Sequence, residues 1–234
     1  MYCDRYITNI YPLCAAVYSE KPLDYAKTID EKAEKVQQVT VICDEAGNTC
    51  SGYTGILPTK AAIIIGFRWR VADTGQVATY FYNAFYKIWN SGMGGNVSDL
   101  VKKHLKYDIW ITGHSLGGAL ATLAASYVVE TKLAVGDRIK LMTFGQPKPG
   151  DDNFANLLNK KLMTFGQPKP GDDNFANLLN RKIKYTFRVV NHGDPVVRIP
   201  LIWYKHQNTK VYYYESIMQA NKYYVCDGRR TGLN

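Results

Sequence analysis

Tyr107-Asp108-Ile109-Trp110-Ile111-Thr112-Gly113-His114-Ser115-Leu116-Gly117-Gly118-Ala119-Leu120 is the stretch whose reading decides the fold. Its first half, with Ile109, Trp110 and Ile111 in a row, reads as a buried strand over Tyr107 to Thr112. Its continuation from Ala119 to Glu130 reads as a helix, with Leu120, Leu123, Ala124 and Val128 on one face. Between them stands Gly113-His114-Ser115-Leu116-Gly117, a G-x-S-x-G pattern on a strand-to-helix junction. Glycines and a serine also cap helices that do no chemistry. Strand, turn and helix in this order predict more, namely a tight elbow that holds Ser115 in a strained conformation above the sheet edge. Gly113 and Gly117 have no side chains to obstruct that turn. The N–H of Leu116, at the helix start, is then aimed at a developing oxyanion.

Other strands and helices alternate around this junction. Tyr6 to Ser19 has the apolar spacing of an amphipathic helix, interrupted by Pro12, and Ala61 to Phe67, with three consecutive isoleucines, reads as a strand buried on both faces. Val77 to Trp89 and Val97 to Leu105 read as helices, and Tyr185 to Val190 as a further strand. The alternation predicts an α/β fold with a mostly parallel sheet flanked by helices. A chain of 234 residues with 46% hydrophobic content suits one domain, 1–234.

Lys140 to Asn159 recurs without a change as Lys161 to Asn180. Repeat folds need about three diverged units, so two identical adjacent copies read as a recent duplication or a gene-model error. Each copy contains one strand, a proline turn and a short helix. Two strands entering the sheet would displace the Tyr185 strand by roughly 4.8 Å. Only one copy is therefore expected in the sheet, and identical copies predict two registers of nearly equal local energy.

The formal charge of +9 is spread along the chain without a nucleic-acid-binding motif, so attraction to an anionic lipid surface or an acidic substrate accounts for it as well. No apolar run reaches the roughly 18 residues of a membrane span, and Met1 to Asp4 opens without the features of a signal peptide. Five cysteines leave one or more unpaired. Cys43 and Cys50 flank a turn-like stretch with Gly47 and Asn48, which suits a disulfide across a hairpin in an oxidising compartment; free thiols in a reducing one are the alternative. Asn96-Val97-Ser98 is a glycosylation sequon.

Asn191-His192-Gly193-Asp194-Pro195 follows the Tyr185 strand and places a carboxylate at a strand's C-terminal end, where open α/β sheets build their sites. An Asp-Pro turn without chemistry is the plainer reading. Asp194 after Ser115 matches the Ser, Asp, His order of α/β-hydrolases.

With these residues in view the chain resembles the class 3 lipase family of α/β-hydrolases, particularly its secreted nematode members. The resemblance rests on Gly113 to Gly118, Thr143-Phe144-Gly145-Gln146-Pro147, Asp194-Pro195-Val196-Val197 with Ile199-Pro200, Cys43 to Cys50 with Ser51-Gly52-Tyr53, and Pro12-Leu13 with Ala15 to Ser19. It covers almost the whole chain. It implies a secreted serine hydrolase of lipid esters, with Ser115 as nucleophile and Asp194 as the acid orienting a histidine. It implies neither a metal nor an organic cofactor.

Three parts of the family pattern are written differently. Gly66-Phe67-Arg68 runs into Trp69-Arg70 where the family has a glycine and a serine or threonine that complete the oxyanion hole. Only Trp69 to Gln76 stand where the family has a lid segment. The family's histidine comes in a later C-terminal segment, so the ending at Asn234, soon after the unpaired Cys226, reads as a truncation.

Among the four histidines, His114 belongs to the elbow, His104 ends a helix, and His192 precedes Asp194 in the same turn. His206 alone lies downstream, matching a histidine-bearing loop of the family rather than its base. Little or no lipase activity is therefore expected of the chain as written. The alternatives are a noncatalytic lipid-binding or interaction protein and a small-substrate esterase, which needs no lid.

Overall fold

In the computed structural model, the described residues are 4–45, 47–69, 78–145, 182–183, 185–193, 209–215 and 222–226. They build an eight-stranded sheet in sequence order, β1 (Glu34–Ile42), β2 (Thr49–Leu57), β3 (Ala62–Trp69), β4 (Asp108–His114), β5 (Ile139–Phe144), β6 (Tyr185–Asn191), β7 (Thr209–Tyr213) and β8 (Tyr223–Cys226). The pairs from β3 to β7 are parallel, while β1–β2, β2–β3 and β7–β8 are antiparallel. The sheet is thus mostly parallel, as the alternation predicts, with an antiparallel ribbon at each edge.

Strand periodicity divides the core between the two faces. Ile63, Ile65 and Phe67 of β3, Ile109 and Ile111 of β4, and Ile139 and Leu141 of β5 join one apolar cluster. Helices α3 (Ala78–Ile88), α4 (Gly94–Lys103) and α5 (Leu116–Glu130) cover that cluster. Ala62, Ile64, Trp110, Met142 and Phe144 point to the other face, covered by α1 (Asp4–Ala16) and α2 (Pro22–Ile29). This double burial explains why the Ala61 to Phe67 run lacks polar alternation. Tyr53 of β2 is fully buried against α1, and its hydroxyl donates to the Leu13 carbonyl at 2.6 Å.

Two expectations change in detail. Pro12 lies inside α1 without ending it. The helix after the elbow extends back from Ala119 to Leu116, because Gly117, though a weak helix former, lets this first turn pack closely against the Phe67 carbonyl of β3.

The duplication resolves with a physical asymmetry. Lys140 to Phe144 of the first copy lie in β5, and β6 pairs with them directly, from Lys140 with Tyr185 to Phe144 with Val189. No strand from the second copy stands between them. The residues just before the copies break the expected near-equality of registers. Ile139 is fully buried as the first residue of β5, whereas Lys160 holds the equivalent place before the second copy. Arg138 donates through Nε to the Tyr107 carbonyl and through Nη2 to the His104 carbonyl, each at 2.8 Å, whereas its counterpart is Asn159.

Candidate active site

Ser115 occupies the junction between β4 and α5 with φ 52° and ψ −125°. A serine avoids this region unless its surroundings impose it. Here the Ser115 N–H donates to the Phe144 carbonyl of β5 at 2.9 Å, and the Ser115 carbonyl accepts the Gly118 N–H at 2.9 Å. The serine is thereby fixed on both sides, to the neighbouring strand and to the first turn of α5.

Glycine makes the turn sterically accessible. A Cβ on Gly113 would strike the Gly117 carbonyl, and one on Gly117 would strike the carbonyl of Phe67 in β3. The second approach brings the start of α5 against the C-terminal end of β3. Leu116, the first residue of α5, presents an N–H that has no acceptor within the helix. Ser115, the Leu116 N–H and the end of β3 consequently share one edge of the sheet.

A polar strap holds the turn after α1 beside this edge. Arg68 Nε donates to the Val17 carbonyl at 2.8 Å, and Gln38 Nε2 donates to the Val17 and Ser19 carbonyls at 3.2 and 3.3 Å. Tyr18 Oη is hydrogen-bonded to His114 Nδ1 at 3.3 Å, with the two rings edge to face. Local sequence pattern assigns neither Tyr18 nor Arg68 a role. Their partners are backbone carbonyls and a residue 96 positions away, which periodicity cannot reveal.

The histidines separate by position. His114 is exposed and engaged with Tyr18. His104 caps the end of α4, its N–H donating to the Leu100 carbonyl, and packs its ring on Tyr107. His192 follows β6 and is bonded through Nδ1 to Tyr212 Oη of β7 at 2.8 Å, on the side of β6 away from Ser115. Ser115 Oγ makes no hydrogen bond to any of these three. Asp194 and His206 lie outside the described residues, as do Arg70 and the segment before α3. The described chain reaches Gly193 at the C-terminal end of β6, two strands from β4, a lateral separation of roughly 10 Å.

Cys43 and Cys50 are disulfide-bonded, with 5.7 Å between their Cα atoms, across the β1–β2 connection. Asn48 completes the turn: its carbonyl accepts the Cys43 N–H at 2.7 Å, and its N–H donates to Asp44 Oδ1 at 3.0 Å. Cys14 and Cys226 are free, the first buried and the second exposed. Burial pushes the Cys14 thiol up to about 12. Among the described residues no cluster of His, Cys, Asp or Glu is arranged to hold a metal, and no helix is long and apolar enough to cross a membrane.

Comparison with known proteins agrees with this geometry. The sequence profile of the family described as Lipase (class 3) matches residues 26–163 and 158–204, its two segments meeting at the join between the duplicated copies. A lipase of Caenorhabditis elegans is 29% identical over 215 residues, covering 80% of this chain and 53% of the relative. A secreted mono- and diacylglycerol lipase of Fusarium solani is 32% identical over 124 residues, covering 50% of this chain and 30% of the relative. The chain therefore spans about half the length of the nematode relative and less of the fungal one. Lipase II from Rhizopus niveus superposes with a TM-score of 0.69 at 16% identity, over 95% of this chain and 83% of that one. The triacylglyceride lipase of Rhizomucor miehei gives 0.69 at 19% identity, over 97% and 86%. At these identities the structural likeness is one of fold.

Proposed function

We propose, on the premise that this chain belongs to the class 3 lipase family, that it is a serine hydrolase of carboxylic esters of lipids, triacylglycerols or related acylglycerols, working through an acyl-enzyme on Ser115. The observation that carries this reading is the strained backbone of Ser115 between β4 and α5. That conformation lifts Oγ clear of the sheet and sets the Leu116 N–H beside the carbon it would attack.

In this reading Ser115 Oγ adds to the ester carbonyl, the Leu116 N–H donates to the resulting oxyanion, and a histidine takes the serine proton and returns it to the leaving alcohol. Water then repeats the sequence on the acyl-enzyme. Asp194 orients that histidine and stabilises its positive charge. The glycine and hydroxyl residue that complete the oxyanion hole in the family have no counterpart in Trp69-Arg70, so the Leu116 N–H is the one oxyanion donor this reading assigns. The charge of +9 favours an anionic lipid interface, and the Cys43–Cys50 disulfide suits a secreted protein.

A second reading, lipid binding without turnover, is favoured by one observation. Ser115 Oγ is bonded to none of the described histidines, and a serine without a base keeps its proton at neutral pH. Hydrolysis of short-chain and long-chain nitrophenyl esters, with fluorophosphonate labelling of Ser115, separates the two. The hydrolase reading expects turnover and labelling that are both lost in Ser115→Ala, and His206→Ala tests whether His206 is the base. Binding to anionic vesicles without turnover or labelling overturns it in favour of the second reading.

A further inference from the structure

The sequon Asn96-Val97-Ser98 plays no part in the catalytic reading, and its place in the fold gives it a role of its own. It is the single Asn-X-Ser/Thr triplet in the chain. Asn96 is the third residue of α4, whose Val97, Leu100 and Val101 are buried toward the sheet. Asn96 itself is half-buried, on the flank of the helix between buried Leu100 and exposed Asp99. Space beside it is open, since a Cβ built on Gly95 would meet nothing within 4 Å. The Asn96 amide makes no hydrogen bond among the described residues.

We propose that Asn96 is an N-glycosylation site, modified as the chain enters an oxidising secretory compartment. The donor class is an oligosaccharide linked to a lipid pyrophosphate. A C–N bond forms between its anomeric carbon and Asn96 Nδ2, the glycosyl–pyrophosphate C–O bond breaks, the lipid pyrophosphate leaves, and the amide nitrogen gives up one proton.

Transfer requires the triplet to be available in a non-helical conformation, and the local sequence keeps it so until late in folding. Gly94, Gly95, Asn96, Val97 and Ser98 are all weak helix formers. The chain before them is broken at Gly92, with φ 114°, and no side chain caps the start of α4. This helix therefore forms through burial of Val97, Leu100 and Val101 rather than through its own propensity. Once formed, it keeps Asn96 part-exposed at the edge of its outer face, where a glycan extends past exposed Gly95 and Asp99. The Cys43–Cys50 disulfide is an independent sign of maturation where such transfer occurs. Neither point depends on whether Ser115 is catalytic.

The full chain, preceded by a cleavable secretion signal and translated in the presence of microsomes, tests the proposal. The expected product is a protease-protected species of higher mass, returned to the lower mass by peptide N-glycosidase with conversion of Asn96 to aspartate. Asn96→Gln and Ser98→Ala each remove the shift. A protease-protected chain without the shift overturns the proposal, as does a shift that persists in both variants.

Discussion

Leu141→Asp and Leu162→Asp place the same charge at equivalent positions of two identical segments, and the sheet predicts opposite consequences. Leu141 is 1% exposed in β5, between Ile111 of β4 and Thr186 of β6. Truncating such a leucine costs about 2–5 kcal/mol, and an unpaired buried carboxylate adds enough to consume a typical domain's stability of about 5–15 kcal/mol. Leu162 has no place in β5, so its substitution is expected to stay within about 0.5 kcal/mol of the parent.

The spare copy should also limit the damage at Leu141, because the second copy can enter the vacated position. The cost of that exchange follows from what the second register lacks. Burial of Ile139 is worth about 2 kcal/mol, and the two carbonyl contacts of Arg138 about 1 kcal/mol each. Loop closure contributes little: flanking loops of roughly 8 and 40 residues become roughly 29 and 19, a difference of about 0.5 kcal/mol. The gap is about 4–5 kcal/mol. Urea unfolding followed by Trp fluorescence should therefore show Leu162→Asp unchanged, Leu141→Asp weakened by about that gap, and the double variant unfolded. Equal loss from the two single variants would refute the assignment of β5 to the first copy. A Leu141→Asp protein as damaged as the double variant would refute the exchange.

Gly117→Ala forces a methyl group onto the Phe67 carbonyl, and overpacking of this kind costs about 1–3 kcal/mol. Because the displaced group is the start of α5, loss of fluorophosphonate labelling should exceed the loss in Tm. Asp30 accepts the Thr59 N–H at 2.7 Å and the Lys32 N–H at 3.0 Å; burial raises its pKa, but these bonds and nearby Lys60 hold it below the ordinary value. Its contribution is therefore present above the unfolded carboxylate pKa and lost as pH falls through the lower folded value. Asp30→Ala should cost about 1–3 kcal/mol at pH 7 and much less in acid, a difference read from parallel denaturation curves. With its thiol raised to about 12, Cys14 should resist iodoacetamide at pH 8 until the protein is unfolded, while exposed Cys226 reacts in the native state. Peptide mass spectrometry of the labelled protein distinguishes them.

Much of this molecule is legible along the chain because its signals are local. Three isoleucines before Gly66 announce a strand with two buried faces, and the Gly113 to Gly118 turn announces a serine mounted between strand and helix. Gly47 and Asn48 mark the turn that brings Cys43 to Cys50. The exposed or short elements β1, α2, β7 and β8 leave no comparable trace, since pairing with neighbours defines them more than composition does. Tyr18 illustrates the same limit at the site: its partner His114 is distant in sequence, and only the packing of α1 on the sheet joins them.

The amino-acid sequence by itself determined the α/β class, the family, the elbow at Ser115 and the fact of the duplication, because each is written in residue order and short-range pattern. Tertiary structure decided which copy enters the sheet, where α5 begins and what braces the elbow. Identical segments carry identical local preferences, so only their surroundings can separate them. Ile139 finds the core and Arg138 finds two carbonyls, whereas Lys160 and Asn159 offer neither.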